Sequence, residues 1–294
     1  MRSTGAGFEQ RGRFTVLTTL TAVTGASRGI GRATVHELAR RGYRVFALAR
    51  TETDLAALAG EAKQKGLEVV PVGMDIADEA SRLQAVTRIL DATAGYGLDV
   101  IVNNAGYGLV GPVEEIPIGK LRHQLEVNFI GQLAFTQPFL PGMRERRRGR
   151  VVNISSVAGR AAAPFSGAYA ASKSALEALS DALRIEVRPF GLHVVLIEPG
   201  PIRTAFSEVA RSIEPPNAAS PYAPYIRRFE EGREGWYVFE RPPEAVARVV
   251  ARVLQSHHPR PRYTVTLPAK GTTIVRRLVP DVVLDWVMAR AIGG

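Results

Sequence analysis

The chain has 294 residues, 46% of them hydrophobic, with 38 lysines and arginines against 28 aspartates and glutamates and a formal charge of +10. That length and apolar content suit one large domain or two small ones, and no run reaches the roughly 18 apolar residues of a membrane span. The absence of cysteine excludes disulfides, thiol catalysis and cysteine-ligated metals, and fits a reducing compartment.

Residues 1–17 begin polar and basic, without the apolar core of a secretory signal, and read as a flexible tail ahead of a domain over 18–294. A cytoplasmic protein is the expectation. The densest basic run is Arg144, Arg146, Arg147, Arg148 and Arg150, at the end of an expected long helix, where cations suit the negative end of the helix dipole. No aromatics interleave with it as base-stacking residues do, so no nucleic-acid partner is expected. An anionic cofactor would account for a further part of the charge. His257-His258 has no ligand partners nearby, and no metal is expected.

Along the chain, strands and helices alternate. Leu20–Val23 reads as a short apolar strand, Gly31–Arg41 as a helix, Arg44–Ala49 as a strand and Leu55–Lys65 as a helix. The strand at Glu68–Gly73, the helix at Ala80–Ala94, the strand at Asp99–Val102 and a helix through Leu121–Met143 continue the pattern. A strand from Val151, a helix over Tyr169–Pro189 and a strand over Leu192–Ile197 complete it. Such alternation predicts an α/β doubly wound parallel sheet, Rossmann-like, covered on both faces in a single domain.

The strand ends carry the chemistry. The first runs into Thr24-Gly25-Ala26-Ser27-Arg28-Gly29-Ile30-Gly31, where three glycines between strand and helix let backbone amides approach a pyrophosphate. The spacing is Gly-x-x-x-Gly-x-Gly rather than the usual dinucleotide Gly-x-Gly-x-x-Gly. The second strand ends in Ala49-Arg50, where NAD-preferring folds place an acid for the ribose hydroxyls. With the acid missing, Arg50 and Arg28 favour a 2′-phosphate, hence NADP(H) over NAD(H); either arginine alone reads equally as a surface residue. Asp75, before Ile76, can accept from an adenine amino group or cap the following helix, a role Asp78 can also fill. Asn103-Asn104-Ala105-Gly106 ends the fourth strand, at the edge where open α/β sheets bind ligands. Asn128 stands mid-helix, where asparagine is mildly unfavourable, and so invites a side-chain role such as holding a water or bending the helix.

Ser156 follows the strand at Val151, and Tyr169 and Lys173 lie one turn apart on the next helix. A free phenol, with a pKa of about 10, is a poor proton acceptor at neutral pH. An ammonium beside it favours the phenolate, and a serine hydroxyl at the strand end would join them. Tyr-x-x-x-Lys alone is common on solvated helix faces; the motifs before it give the pair its meaning.

In order and spacing, residues 18–204 resemble the short-chain dehydrogenase/reductase family in its compact one-domain form. The resemblance implies a seven-stranded doubly wound sheet and a catalytic tetrad of Asn128, Ser156, Tyr169 and Lys173. It implies a cofactor site of Gly25, Ser27, Arg28, Gly29, Ile30, Gly31, Arg50, Asp75, Ile76, Asn103, Tyr169, Lys173, Ile202 and Thr204, the last two against the nicotinamide carboxamide. Tyr169 would exchange a proton with the substrate oxygen, Ser156 would bond the same oxygen, and Lys173 would bind the nicotinamide ribose. A homodimer or homotetramer is expected.

Beyond residue 204 the pattern lapses. Ala205–Glu240, rich in proline and aromatics, reads as a substrate lid, and 270–294 as a C-terminal cover in which Pro280 prevents one long helix. Packing over the pocket or a subunit interface is favoured there over contact with a membrane. Asn104 to Glu115 and the tail resemble the 17β-hydroxysteroid and retinol dehydrogenase branch, which implies a bulky apolar carbonyl or alcohol substrate. The alternatives are a reductase of small ketones or 3-oxoacyl groups, and a protein that senses NADP(H) without turnover.

Overall fold

The computed structural model describes residues 18–204, 220–234 and 237–292. Seven strands form one parallel sheet: β1 (Leu20–Thr24), β2 (Arg44–Ala49), β3 (Val69–Gly73), β4 (Val100–Asn103), β5 (Gly149–Ile154), β6 (Leu192–Glu198) and β7 (Arg262–Thr264). Their order is β3-β2-β1-β4-β5-β6-β7. The direction of winding reverses between β1 and β4, which opens a crevice at the carboxyl ends of those two strands.

The strands are near-continuous apolar runs because both of their faces are buried. Val23, Val45, Ala47, Val102, Val152 and Val195 point to one face. There they meet α1 (Gly29–Arg40), α2 (Glu52–Gln64) and the later helix α9 (Pro243–Gln255). Ala22, Phe46, Leu48, Ile101, Val151 and Val194 point to the other, against α3 (Glu79–Ala92) and the helical stretch before β5. Residues adjacent in sequence alternate between the two cores, as the pleat requires. The observed helix α1 begins at Gly29, inside the glycine motif, two residues before the expected start.

The helix expected through Leu121–Met143 is not one helix. It divides into α4 (Ile118–Leu125), a π turn (Glu126–Ile130), α5 (Gly131–Thr136), a 3-10 turn (Gln137–Phe139) and α6 (Leu140–Glu145). Two residues explain the breaks. Pro138 removes a backbone donor, and Gly131 lies so close to the Ile76 carbonyl that a Cβ would stand 2.2 Å from it. The extra residue of the π turn lies at Asn128, an arrangement frequent at functional sites. α7 (Gly167–Val187) follows β5.

Of the expected lid, residues 205–219 and 235–236 lie outside the described residues; within it stand α8 (Ala223–Glu234) and a 3-10 turn at Tyr237–Phe239. Pro280 does separate two C-terminal helices, α10 (Leu267–Leu278) and α11 (Asp281–Ile292). α11 packs on α8, and α10 touches the turn that follows Ser156. Among the described residues no helix is long and apolar enough to cross a membrane. The basic run does more than match a dipole. Arg146 donates to the Leu98 carbonyl at 3.0 Å and stacks on Tyr96, and Arg150 donates to the Ser256 carbonyl at 2.6 Å, closing the end of α9.

Candidate active site

The glycine motif is required by close approach. A Cβ on Gly31 would fall 2.2 Å from the Gly25 carbonyl, and Gly25, at φ 65°, would press a Cβ to 2.9 Å from Ala105 Cα. The Thr24 hydroxyl accepts from the amides of Asn104 (2.9 Å) and Ala105 (3.0 Å). Asn104 Nδ2 donates back to the carbonyls of Thr24 (2.9 Å) and Gly25 (3.2 Å). The β1 and β4 loops are thus laced together along the crevice. Arg28 occupies the cap position of α1 without a side-chain cap bond, and the first turn holds no acid. The amides at that end, with the positive end of the helix dipole, therefore suit an anion.

Arg28 and Arg50 are both exposed, Arg50 at the end of β2 and Arg28 in the glycine turn. Ser27 lies in the same turn, and Ile30 packs its side chain into the core beneath α1. Asp75 Oδ1 accepts from the Ala77 amide at 2.9 Å, while Asp78 caps α3 by accepting from the Ser81 amide at 2.7 Å. The side chain of Ile76 is buried in the core on the other face. Thr204 closes the crevice from above: a Cβ on Gly29 would meet its Cγ2 at 3.3 Å. Ile202 is buried beside it and bridged to Arg241.

Asn103 points elsewhere. Its Nδ2 donates to Thr136 Oγ1 (2.9 Å) and Asn153 Oδ1 (2.8 Å), and Asn153 in turn donates to Ser180 Oγ at 2.7 Å. This buried chain braces β4 and β5 against α5 and α7. The neighbouring amide, Asn104, is the one whose side chain borders the glycine turn, because successive residues leave a strand on opposite sides.

At the end of β5, Ser156 opens a 3-10 turn (Val157–Gly159), its Oγ accepting from the Ala158 amide at 3.2 Å. The same side chain hydrogen-bonds the Tyr169 hydroxyl. Lys173, one turn along α7, is 4% exposed and donates from Nζ to the Ile154 carbonyl at 2.8 Å. Asn128 clamps the floor: Oδ1 accepts from the Tyr107 amide (3.0 Å), and Nδ2 donates to the Tyr107 carbonyl (2.9 Å) and to Ser172 Oγ (3.0 Å). Gly106 lies between these groups, where a Cβ would approach Asn128 Oδ1 at 3.1 Å and Lys173 Nζ at 3.6 Å. All four tetrad positions therefore meet at one end of the crevice.

Burial dominates their electrostatics. Burial pushes the Tyr169 phenol up to about 12, and the Ser156 hydroxyl recovers only part of that. Lys173 Nζ is engaged by the Ile154 carbonyl and stands 5.9 Å from the Tyr169 ring centroid. Burial pushes the lysine itself down to about 8, and the Glu177 carboxylate one turn further pulls it back upward. Desolvation outweighs the pairwise attraction here because both groups lie among protein atoms.

The sequence model of the short chain dehydrogenase family matches residues 19–214. The chain belongs to that family. An uncharacterized oxidoreductase of Escherichia coli, YbbO, is 36% identical over 272 residues, 90% of this chain and 92% of its own length. Retinol dehydrogenase 8 of Bos taurus is 33% identical over 249 residues, covering 81% of this chain and 78% of that protein. A short chain dehydrogenase of Burkholderia cenocepacia, solved in complex with NADP, superposes with a TM-score of 0.69 at 25% identity, covering 94% of this chain and 98% of that one. Like its family, this dehydrogenase is an oxidoreductase that acts between alcohol and carbonyl.

Besides Asn128, the loop after β4 is shaped by groups that the sequence reading did not single out. Gln124, Asn128, Gln132 and Thr136 recur every four residues, all buried, and form a polar stripe facing the loop after β4. Gln124 Oε1 accepts from the Leu109 amide at 2.8 Å, and Gln132 donates to the Ala105 carbonyl. That period, polar within an apolar helix, was the available signal. Phe165 adopts φ 61°, its carbonyl accepting from the Gly111 amide at 2.7 Å and its ring meeting Phe229 of α8 edge-on at 5.6 Å. Ser220 Oγ donates to Glu115 Oε1 at 2.6 Å and Tyr222 to Glu114, so the described residues that precede α8 are latched to the loop over 107–115. A cavity of about 270 Å³ opens further along, between Phe239 and the start of α10; neither Ser156 nor Tyr169 lines it.

Proposed function

We propose that this dehydrogenase is NADP(H)-dependent and interconverts a carbonyl with a primary or secondary alcohol on a bulky apolar substrate, with Tyr169 as the proton donor and acceptor. The observation that carries the reading is the Ser156–Tyr169 hydroxyl pair beside buried Lys173, at the end of a glycine-lined crevice flanked by Arg28 and Arg50.

The residues present fit the dinucleotide. The close approaches at Gly25 and Gly31 leave a main-chain surface, and the uncapped first turn of α1 supplies amides for the pyrophosphate. Arg28 and Arg50, with no acid at the end of β2, suit the 2′-phosphate. Asp75 would meet the adenine, Lys173 the ribose, and Ile202 with Thr204 the carboxamide. When bound, the cofactor supplies or accepts the hydride.

The chain's own contribution is the proton. With a pKa of about 12, Tyr169 carries its proton at neutral pH and can give it to a carbonyl oxygen in reduction. Ser156, already bonded to the phenol, is placed to bond the same oxygen and stabilise its developing charge. In the alcohol direction Tyr169 must first lose that proton, so oxidation should quicken as pH rises. Asn128 holds Tyr107 and α7 in register and so positions Tyr169 and Lys173. Phe165 and Phe229, with the latched lid, support a bulky apolar substrate.

The test is NADPH consumption by purified protein against steroid ketones, retinal, long-chain aldehydes and small diketones. The expected result is turnover strongest with the bulky members. Preference for the small ones supports the reductase of small ketones, and tight NADPH binding without turnover on any carbonyl supports the sensor. A homodimer or homotetramer in the cytoplasm is part of the same reading, and light scattering of the purified protein checks its oligomeric half.

A further inference from the structure

The cofactor crevice lies at the carboxyl ends of the strands. At their amino ends, on the opposite side of the sheet, a second cavity of about 290 Å³ opens among the residues that lead into β1, β2, β4, β5 and β6. Arg147, Arg148, Arg150 and His193 line it, with Asp99 as the one acid among its lining residues. Register in the sheet sets Arg150 directly beside His193.

Asp99 is already engaged. Its Oδ2 accepts from the Leu20 amide at 3.0 Å and its Oδ1 from the Tyr96 hydroxyl at 2.8 Å, and Arg148 Nε stands 3.5 Å from Oδ1. One carboxylate therefore faces three guanidiniums. Arg147 Nη2 donates to the Pro189 carbonyl at 2.9 Å, while Arg150 gives Nη1 to the Val253 carbonyl and Nη2 to the Ser256 carbonyl at 2.6 Å. A guanidinium has five N–H donors, so Arg147 and Arg148 retain donors for a ligand, whereas Arg150 contributes chiefly its charge. Oriented forks are the geometry that recognises phosphate oxygens.

The rim is held in a form the backbone does not favour. Arg147 lies at φ 51°, in the left-handed region that suits glycine. Opposite it, a Cβ on Gly191 would stand 2.8 Å from the Arg147 carbonyl. The turn closes α6, the Arg147 and Arg148 amides donating to the Arg144 and Met143 carbonyls at 3.0 and 3.1 Å, and Arg147 holds the position where glycine would be unstrained. Concentrated like charge in a concavity with low-dielectric walls focuses the field on an incoming anion.

We propose that this cavity binds a phosphate group, free or as a small monoester, at a site separate from the cofactor's. The ammonium-free, fork-like donor set favours an oxyanion over a halide, and three guanidiniums around one cavity suit the charge of a phosphate better than that of a carboxylate. The volume lies at the lower end of the range of small-molecule pockets, which suits a small ester rather than a dinucleotide. His193 offers a reporter. Burial, Arg150 and His258 hold its pKa below the usual histidine value. Arg148, Asp99 and the Tyr43 phenol line the same cavity. A bound dianion adds negative charge beside the imidazole and draws that value upward.

The experiment is a titration of the full-length protein, saturated with NADPH to block the cofactor site, followed by the His193 ring signals in NMR. Inorganic phosphate and glycerol phosphate are compared with chloride at matched ionic strength. The expected result is a saturable shift and a raised His193 pKa with phosphate but not with chloride. Tighter binding of the monoester assigns the site to a metabolite, and equal affinity to free phosphate. Arg147→Gly removes one fork yet suits φ 51°, so the fold is kept while affinity falls about tenfold, as for loss of one charge-assisted bond. Arg148→Ala should weaken binding similarly. A shift that chloride reproduces, or affinity unchanged in both variants, overturns the proposal. Because the readout is His193, the outcome does not depend on turnover.

Discussion

Replacing Lys173 by methionine should make the protein more stable at neutral pH while removing its activity. Lys173 sits 4% exposed, with its value lowered from 10.5 to about 8. That fall corresponds to about 3 kcal/mol of unfavourable differential interaction with the charged form. Below pH 8 the lysine is protonated both folded and unfolded, so the whole penalty applies. Between pH 8 and 10.5 the unfolded chain binds more protons than the folded one, and stability rises with pH. Above 10.5 both states are neutral and the penalty is gone. What remains is the hydrogen bond to the Ile154 carbonyl, worth about 1 kcal/mol. Lys173→Met should therefore gain about 2 kcal/mol near pH 7 and lose about 1 kcal/mol at high pH, relative to the unchanged protein. The difference between the two proteins changes sign between pH 8 and 10.5, where other titrations largely cancel. Urea unfolding of both proteins from pH 6.5 to 10.5, in the absence of cofactor, measures it. A stability difference that does not vary with pH would refute the reasoning, as would a variant that is less stable at pH 7.

Tyr169→Phe should lower turnover at least a hundredfold, the scale of a lost general acid, while NADPH binding measured by fluorescence is retained. Arg50→Asp should move the ratio of kcat/KM for NADPH over NADH towards NADH, and an unchanged ratio removes the role given to Arg50. Gly31→Ala would force a methyl to 2.2 Å from the Gly25 carbonyl, so NADPH affinity should collapse while circular dichroism shows the sheet intact. Asn128→Leu leaves the Tyr107 amide and carbonyl without their partner, and urea unfolding should show a loss of about 2–4 kcal/mol.

How much of this was legible depended on the range of the interaction. The apolar runs at Leu20, Arg44 and Val151 announced strands because burial on both faces leaves a local mark, and the glycine motif announced its crevice because only a missing Cβ permits the approach. β7, three residues long, leaves too short a run to register. Of the breaks in the helix after Ile118, the one at Pro138 has a local mark, while the one at Gly131 was hidden because Gly131 yields to the Ile76 carbonyl, a contact 55 residues distant in the chain. Which of Asn103 and Asn104 sends its side chain to the glycine turn is set by the strand's last alternation, where boundaries read from sequence are least certain. The relation of Tyr169 to Lys173 was read from spacing alone. Spacing carries the Coulomb attraction but not the desolvation that opposes it, and desolvation is a property of everything packed around the pair.

The polar stripe of Gln124, Asn128 and Gln132 has a consequence for the order of folding. The loop after β4 takes its shape from side chains that arrive about twenty residues later, so local sequence cannot pre-form it. Secondary structure can recover while that loop is still searching, because contacts of greater sequence separation close later. On refolding from urea, the competence to bind NADPH should therefore return as a slower phase than the far-ultraviolet signal. A protein caught in that interval would have its sheet and lack its chemistry.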